Sequence, residues 1–313
     1  GLAKWLFDSG NALVPRVAIN RYWQMIFGMG LVKTAEDFGS QGERPSHPEL
    51  LDWVAKDFVE HGWDIKYALK QMVMSYTYQQ SSFCSEALRE SDPENKYLAR
   101  SPSYRWPAEM IRDNALKASG LLVQDIGGPS VKPYQPDGLW AEVLMASDKL
   151  AKYEADSGSG LYRRSLYTFS RRFAPNPFMI NFDATPREIC TIRRNVTSTP
   201  LQALTLLNDP QFFEASRVLS EVVQTEHPDD LEQQIELAFR SCTGLKPSNH
   251  QVNILKDQYE KSIKEFIEFP KLSDSILSVG ERPFNQLLSK DKTAAMTLVV
   301  STIFNFDETY TKR

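Results

Sequence analysis

Along the first third of the chain the apolar positions recur at three and four residues, the period of a helix with one buried face. In PRVAINRYWQMIFG, Pro15 suits a first turn, Val17, Ile19, Trp23 and Ile26 or Phe27 form the face, and Gly28 ends it. The next string, HPELLDWVAKDFVEHG, predicts a helix with Ser46 as N-cap, Glu49 three residues on, an inward row of Leu50, Leu51, Val54, Phe58 and Val59, and Gly62 as the stop. WDIKYALKQMVMSYTYQQS repeats the pattern with Asp64 as cap and Ile65, Leu69, Met72, Val73 and Tyr76 inward, giving two antiparallel helices across a tight turn. WPAEMIRDNALKASGLL predicts a further helix with Pro107 just inside its start and Gly120 near its end.

From Gly127 to about Pro210 the pattern dissolves into Gly, Pro, Asn and Asp, which predicts irregular backbone and one long connection, with SLYTF (165–169) as its one short strand. A connection of that length is more often functional than idle. Helices resume with PLQALTLLND, with a segment capped by Asp209 before Pro210, with DDLEQQIELAFRSCTG ending at Gly244, with one capped by Ser248, and with one from about Asp291 to Asp307. The apolar run Thr293–Phe306 is shorter than the roughly 20 residues that span a bilayer, so it predicts a buried core helix and no membrane span. Eight to ten helices with little sheet and no fixed-period repeat make the fold class mainly α. The expected organisation is a single multi-helical domain over 1–313, with N-terminal helices (1–125), an irregular Arg-rich segment (126–199) and C-terminal helices (200–313).

Composition narrows the function classes. The 313 residues are 42% hydrophobic and 24% charged, with a net charge of -4. The chain therefore folds, and carries no global basic field for a nucleic acid. Cys84, Cys190 and Cys242 are too few and too far apart for a disulfide scaffold or a zinc cage, and neither CxxC nor CxxCH occurs. The opening GLAKWLFDSGNALVPRV lacks Met and any signal-like charge and apolar core, so it reads as a piece of a longer protein whose leader would precede residue 1.

Charge is nevertheless concentrated. Residues 161–200 hold Arg163, Arg164, Arg171, Arg172, Arg187, Arg193 and Arg194, no Lys, and only Asp183 and Glu188 as acids, a local charge of +5. Avoiding Lys so completely suggests that the planar guanidinium fork matters as well as its charge. One reading is an anion-recognition pocket, with Thr197, Ser198 and Thr199 as further donors at the helix that follows. The other is that the arginines bond Asp183, Glu188 and the carbonyls of the irregular chain. Tyr134 and Trp140, with Tyr153, Tyr162 and Tyr167, would suit stacking on sugar rings or simply packing around the loop. Asp183 or Glu188 as base, or Cys190 as a thiol activated by neighbouring cations, are the candidates for catalysis; a buried inert thiol is the competing reading for Cys190. Glu36, Asp37, Glu43, His47 and Glu49 in EDFGSQGERPSHPE could gather around a metal. They fit no known ligand spacing, however, and suit a turn and a helix start equally well, so no metal ligands are assigned.

Four ordered stretches, GLVKTAEDFGSQGERPSHPELLDWVA, GGPSVKPYQPDGLW, LYRRSLYTFSRR and FDATPREICTIRRNVTSTPLQALTLLNDPQF, closely resemble the planctomycete-type "PSD one" domain, domain of unknown function 1553, from ALVPRVAINRYWQ to STIFNFDETY. The resemblance implies a C-terminal module of a larger exported bacterial protein, periplasmic or extracellular, commonly preceded by a second uncharacterised domain and often by a cytochrome c domain. Haem c would then belong to the upstream domain, and no cofactor is expected in this segment. The function expected is a binding or interaction module that recognises an anionic ligand, such as an anionic saccharide, or docks on the upstream domain. The alternative is an enzyme, or half of one, acting on extracellular carbohydrate or in cytochrome-linked redox chemistry.

Overall fold

The computed structural model describes residues 1–8, 10–140 and 152–312. They form two compact units: Gly1–Arg105 with Thr191–Arg193 and Thr311–Arg313, and Trp106–Cys190 with Arg194–Tyr310. The architecture is mainly α, as the periodicity predicts, and its sheet is confined to two short strands.

In the first unit, α1 (Leu2–Leu6), α2 (Leu13–Phe27), α3 (Pro48–Glu60), α4 (Ile65–Val73), α5 (Tyr76–Gln79) and α6 (Glu86–Ser91) precede β1 (Tyr104–Arg105), which pairs antiparallel with β2 (Thr311–Lys312). In its core Ile19, Trp23 and Phe27 of α2 meet Leu51, Val54 and Phe58 of α3 and Met72 of α4, all from the predicted faces, together with Ala68, which the pattern did not single out, while Val59, expected inward, is exposed. Phe27 lies flat on Trp23 at 4.1 Å between ring centroids. Asp64 caps α4 as expected by accepting from the Tyr67 N–H, whereas the α3 cap position belongs to His47, one residue later than predicted, because Pro48 takes the first helical place. Tyr76 and Ile65, expected inward, are exposed. The helix stops at Val73 and Ser75 caps a new turn, so Tyr76 loses the phase of the pattern, and Ile65 sits at the frayed first position of α4.

The second unit contains α7 (Ala108–Ala118), two 3-10 turns at Gly158–Tyr162 and Ser165–Tyr167, α8 (Pro177–Asn181), α9 (Pro200–Asn208), α10 (Pro210–Glu226), α11 (Leu231–Thr243), α12 (Asn249–Glu268), α13 (Pro270–Leu277), α14 (Lys290–Phe304) and α15 (Asp307–Tyr310). In place of the predicted strand 165–169, Ser165–Tyr167 form a 3-10 turn, and Thr168 makes only an isolated bridge with Val131. No partner strand of useful length lies beside it, and a lone strand has nothing to satisfy its backbone. Caps read from the sequence recur here: Asp209 accepts from the Gln211 N–H, and Ser248 forms a capping box with Gln251.

At the centre α10 packs on α14, both buried around most of their circumference. Thr293, Thr297 and Ser301 let the helices approach closely. Thr293 and Thr297 bond back to Ser289 and Thr293 carbonyls at 2.8 Å, which disposes of their hydroxyls inside the core. No helix is long and apolar enough to cross a membrane among the described residues.

Beside this pair Glu214 and Arg217 of α10 are completely buried. Glu214 accepts from the Tyr162 hydroxyl and the Arg282 N–H, both at 2.8 Å, while Arg217 donates to Glu221 and to the Val279 and Arg282 carbonyls. The segment 279–282 thus seals two buried charges, and it can do so only because Gly280 adopts φ +90: a Cβ there would lie 2.2 Å from the Glu214 carboxyl carbon. Gly280→Ala is accordingly expected to lower stability by roughly 2–4 kcal/mol through strain and overpacking. Gly244→Ala is the comparison, since its φ is +73 but nothing lies within 4 Å of the new methyl. About 1 kcal/mol is expected there. Urea unfolding of both variants measures the difference, and equal losses would disprove the sealing role.

Candidate functional site

The irregular segment of the second unit is held by arginine forks. Arg112 sits on α7 in the inward row with Ala108, Ile111 and Ala115, and it is buried. Its Nη1 donates to the Arg163 carbonyl at 2.9 Å and Ser165 Oγ at 3.2 Å, and its Nη2 donates to the Leu161 carbonyl at 2.6 Å and Gln211 Oε1 at 2.9 Å. Asp113 adds the next contact by accepting from the Ser165 N–H at 2.7 Å. Backbone with no ladder thereby finds its partners in one side chain.

Arg163 repeats the device one layer out. It is buried, donates to the Pro129, Asp125 and Gly127 carbonyls, and stacks on Tyr167 at 4.0 Å. Arg171 lies over the buried Trp140 ring at 4.4 Å, and Tyr153 meets the same ring edge-on at 5.0 Å. Trp140 is therefore packed inside, with its face already covered. Arg164 is half-buried, with its Nε enclosed and unpaired among the described residues. Tyr134 accepts from the Glu281 N–H at 2.8 Å, and burial, reinforced by Glu214, pushes its hydroxyl up to about 12.

Arg194 pairs with Glu109 of α7, Nη1 to Oε2 at 2.6 Å and Nη2 to Oε1 at 3.0 Å. Burial acts to raise the Glu109 carboxyl, but Arg194, the backbone and Arg187 outweigh it and hold the group below its ordinary value. The other predicted donors and bases are engaged as well. Asp183, in the left-handed region at φ +59, accepts from the Thr197 N–H at 2.9 Å and from the Thr197 hydroxyl. Gln202 donates to Thr197 Oγ1 and completes the Thr199 capping box. Ser198 is exposed. Glu188 pairs with Arg172 at 2.8 Å. Cys190 is exposed, Cys84 is half-buried, and the buried Cys242 thiol is pushed up by desolvation; all three are unpaired. Arg193 is exposed and belongs to the first unit.

One predicted arginine of this unit stays open. Arg187 is exposed at φ +60 and, with Ser170, Arg172, Pro186 and Glu188, lines a surface depression of about 430 Å³. A small cavity of about 40 Å³ shares Ser170, Pro186 and Arg187 with it and is walled by Thr168, Thr185 and Glu109. Thr168 Oγ1 is buried there without a partner among the described residues. Burying a hydroxyl unpaired is costly.

The second motif does not converge on a metal. Asp37 caps a turn by accepting from the Gly39 N–H, His47 contacts Ser46, and Glu36, Glu43 and Glu49 are exposed. No group of three or more His, Cys, Asp or Glu side chains is placed to hold an ion among the described residues. Arg112, Glu109 and Thr168 were not singled out from the sequence. For Arg112 a signal existed, a charged residue in the inward row of an amphipathic helix, where an unpaired cation is not tolerated.

No curated protein and no solved structure matches the chain. The family described as "Protein of unknown function (DUF1553)", PSD1, matches residues 1–259, a span that contains all four resembling stretches and the whole Arg-rich segment and stops short of the last two long elements, α13 and α14. The chain belongs to this family of unknown function.

Proposed function

We propose that the chain is a non-catalytic recognition module and that Arg187 and the Thr168 cavity read one oxyanion group, a carboxylate, phosphate or sulfate, of an anionic ligand or of a partner domain's surface. The supporting observation is the unpaired buried hydroxyl of Thr168 in the wall of a cavity beside Arg187, whose exposed fork makes no hydrogen bond or ion pair among the described residues and acts on the protein through its field on Glu109, itself paired with Arg194. Arg163, Arg171, Arg172 and Arg194 act as internal struts, ring covers or partners of an acid, and Asp183 and Glu188 are committed to Thr197 and Arg172. That pairing supports binding over an enzymatic role, because each carboxylate already has a partner. In this reading the partner is an upstream domain of the same exported protein, outside the cytoplasm. A cytochrome c domain is one such neighbour; with no CxxCH in the chain, no step here runs through haem.

Thermal unfolding of the whole chain with inorganic sulfate, phosphate and citrate tests the reading. An anion at about 100 times its dissociation constant adds roughly 2.7 kcal/mol to the wild type. Arg187→Ala is expected to abolish the gain and Thr168→Val to reduce it, while Arg194→Ala retains it. Gains that survive in Arg187→Ala, or no gain with any anion, would refute the site.

Arg194→Ala should instead reveal a strut, with a loss of about 1 kcal/mol discounted for partial exposure of the pair. Because Glu109 is held below its ordinary value, the pair stabilises the fold above the ordinary carboxylate range and loses this as pH falls through the lowered value. The gap between wild type and Arg194→Ala should therefore be full near pH ~7 and shrink towards pH ~3. A gap independent of pH would show that the charge pairing contributes nothing.

A further inference from the structure

A second cavity lies wholly within the first unit. It is a cleft of about 590 Å³ between the end of α2, the 43–46 segment and the stretch from Ser82 to Tyr104. That volume suits a ligand of a few rings.

Its walls are fixed before any ligand arrives. Asn20, fully buried, donates to the Val32 carbonyl at 3.0 Å and accepts from the Val32 N–H at 2.8 Å, which pins the loop after α2. Gly28, at φ +79, lets the backbone pass the Tyr104 ring, where a Cβ would lie 2.9 Å from a ring carbon. The Tyr104 hydroxyl donates to the Met25 and Ile26 carbonyls. Across the cleft, Asp92 accepts from the Lys96 and Tyr97 N–H groups, and Asn95 donates to the Arg100 carbonyl at 2.8 Å. Such clamps cost a ligand little ordering on binding.

The lining is cationic. Lys33 is neutralised by Glu94 at 2.7 Å. This leaves Arg44, Arg89, Lys96 and Arg100 against Glu43. The side chains of Arg44 and Arg89 have no hydrogen-bond or ion-pair partner among the described residues; Lys96 and Arg100 also act on the buried Asp92 carboxylate and help hold it below its ordinary value, while Arg100 keeps Nη1 buried and unpaired and its Nη2 donates to the Asp92 and Pro93 carbonyls. Guanidinium groups in excess of acids, one of them under-satisfied in an enclosed wall, call for an oxyanion.

The rest of the lining indicates what carries the anion. Trp23 and Phe27 cover each other's faces, so the cleft offers no apolar slot to sandwich a flat base. It offers one open ring, Phe83, which is 79% exposed, together with the hydroxyls of Ser82 and Ser103. One-sided stacking beside hydroxyl groups fits the apolar face and the rim of a sugar. We propose that this cleft binds an acidic oligosaccharide, with its carboxylate or sulfate between Arg44, Arg89 and Arg100 and one ring against Phe83.

Calorimetric titration of the whole chain with tri-galacturonate, a sulfated disaccharide, neutral tri-galactose, AMP and inorganic sulfate tests this. One or both acidic sugars are expected to bind, and which of them does separates carboxylate from sulfate. The neutral sugar, AMP and free sulfate should bind at least tenfold more weakly. Arg44→Ala and Arg89→Ala should each weaken binding at least tenfold, and Phe83→Ala several-fold. The unfolding midpoints of the two arginine variants should stay those of the wild type, because both side chains are exposed and unpaired. In the Arg187→Ala background, which removes the anion site of the other unit, acidic-sugar binding should persist and should still be lost on adding Arg44→Ala, which separates the two sites. Equal binding of neutral and acidic sugar, tighter binding of AMP, no binding of either acidic sugar, or full binding by the arginine variants would overturn the proposal.

Discussion

A segment with neither ladder nor helix can lie against a packed core only if its carbonyls find donors, and in the second unit the buried Arg112 guanidinium supplies them. Its fork faces the Leu161 and Arg163 carbonyls, Ser165 Oγ and the Gln211 side chain at once. An ammonium could not match that planar set, and four separate donors would each need a side chain of their own. Because Arg112 and Asp113 together fix residues 161–165, they fix the turn that follows, and with it the position of Thr168. The candidate anion site is thus placed by a cation that never meets solvent.

The same residue type fills opposite roles within a short stretch. Arg163, Arg171 and Arg194 lie over rings or against carbonyls and a carboxylate, where the guanidinium adds order by spending its donors internally. Arg187 has the same chemistry but makes no hydrogen bond or ion pair among the described residues, adding only a field that helps hold Glu109 below its ordinary value. Nothing in the side chain distinguishes the two roles; what separates them is whether the fold brings an acceptor to the fork. The first unit makes the same division with different pieces, since Asn20, Asp92 and Asn95 hold the backbone and leave Arg44 and Arg89 unspent.

These distinctions mark the limit of what the chain's sequence discloses. Helices were legible because a buried face leaves a period of three to four, and the caps Asp64, Asp209 and Ser248 were legible because they act on neighbours in sequence. The strand at 165–169 misled because β-type residues are enriched in any half-buried extended chain and pairing depends on a partner that composition does not show. The excess of arginine pointed to the right segment but could not tell strut from reader, because Glu109 and Arg194 meet across 85 positions. The cleft was invisible for the same reason: Arg44, Arg89 and Arg100 each read as ordinary surface charge until the loops bring them to one wall.

Both candidate sites stand on irregular chain held by polar clamps, whereas the α10 and α14 pair that dominates the core contributes no side chain to either lining. Stability and recognition are therefore carried by different residues, and they respond to different changes. Loss of a clamp such as Arg112 or Asn20 leaves buried carbonyls unpaired and is felt by the fold, because each orphaned group keeps its full desolvation cost. Loss of an exposed, unspent fork such as Arg44 or Arg89 removes only what a ligand would have used.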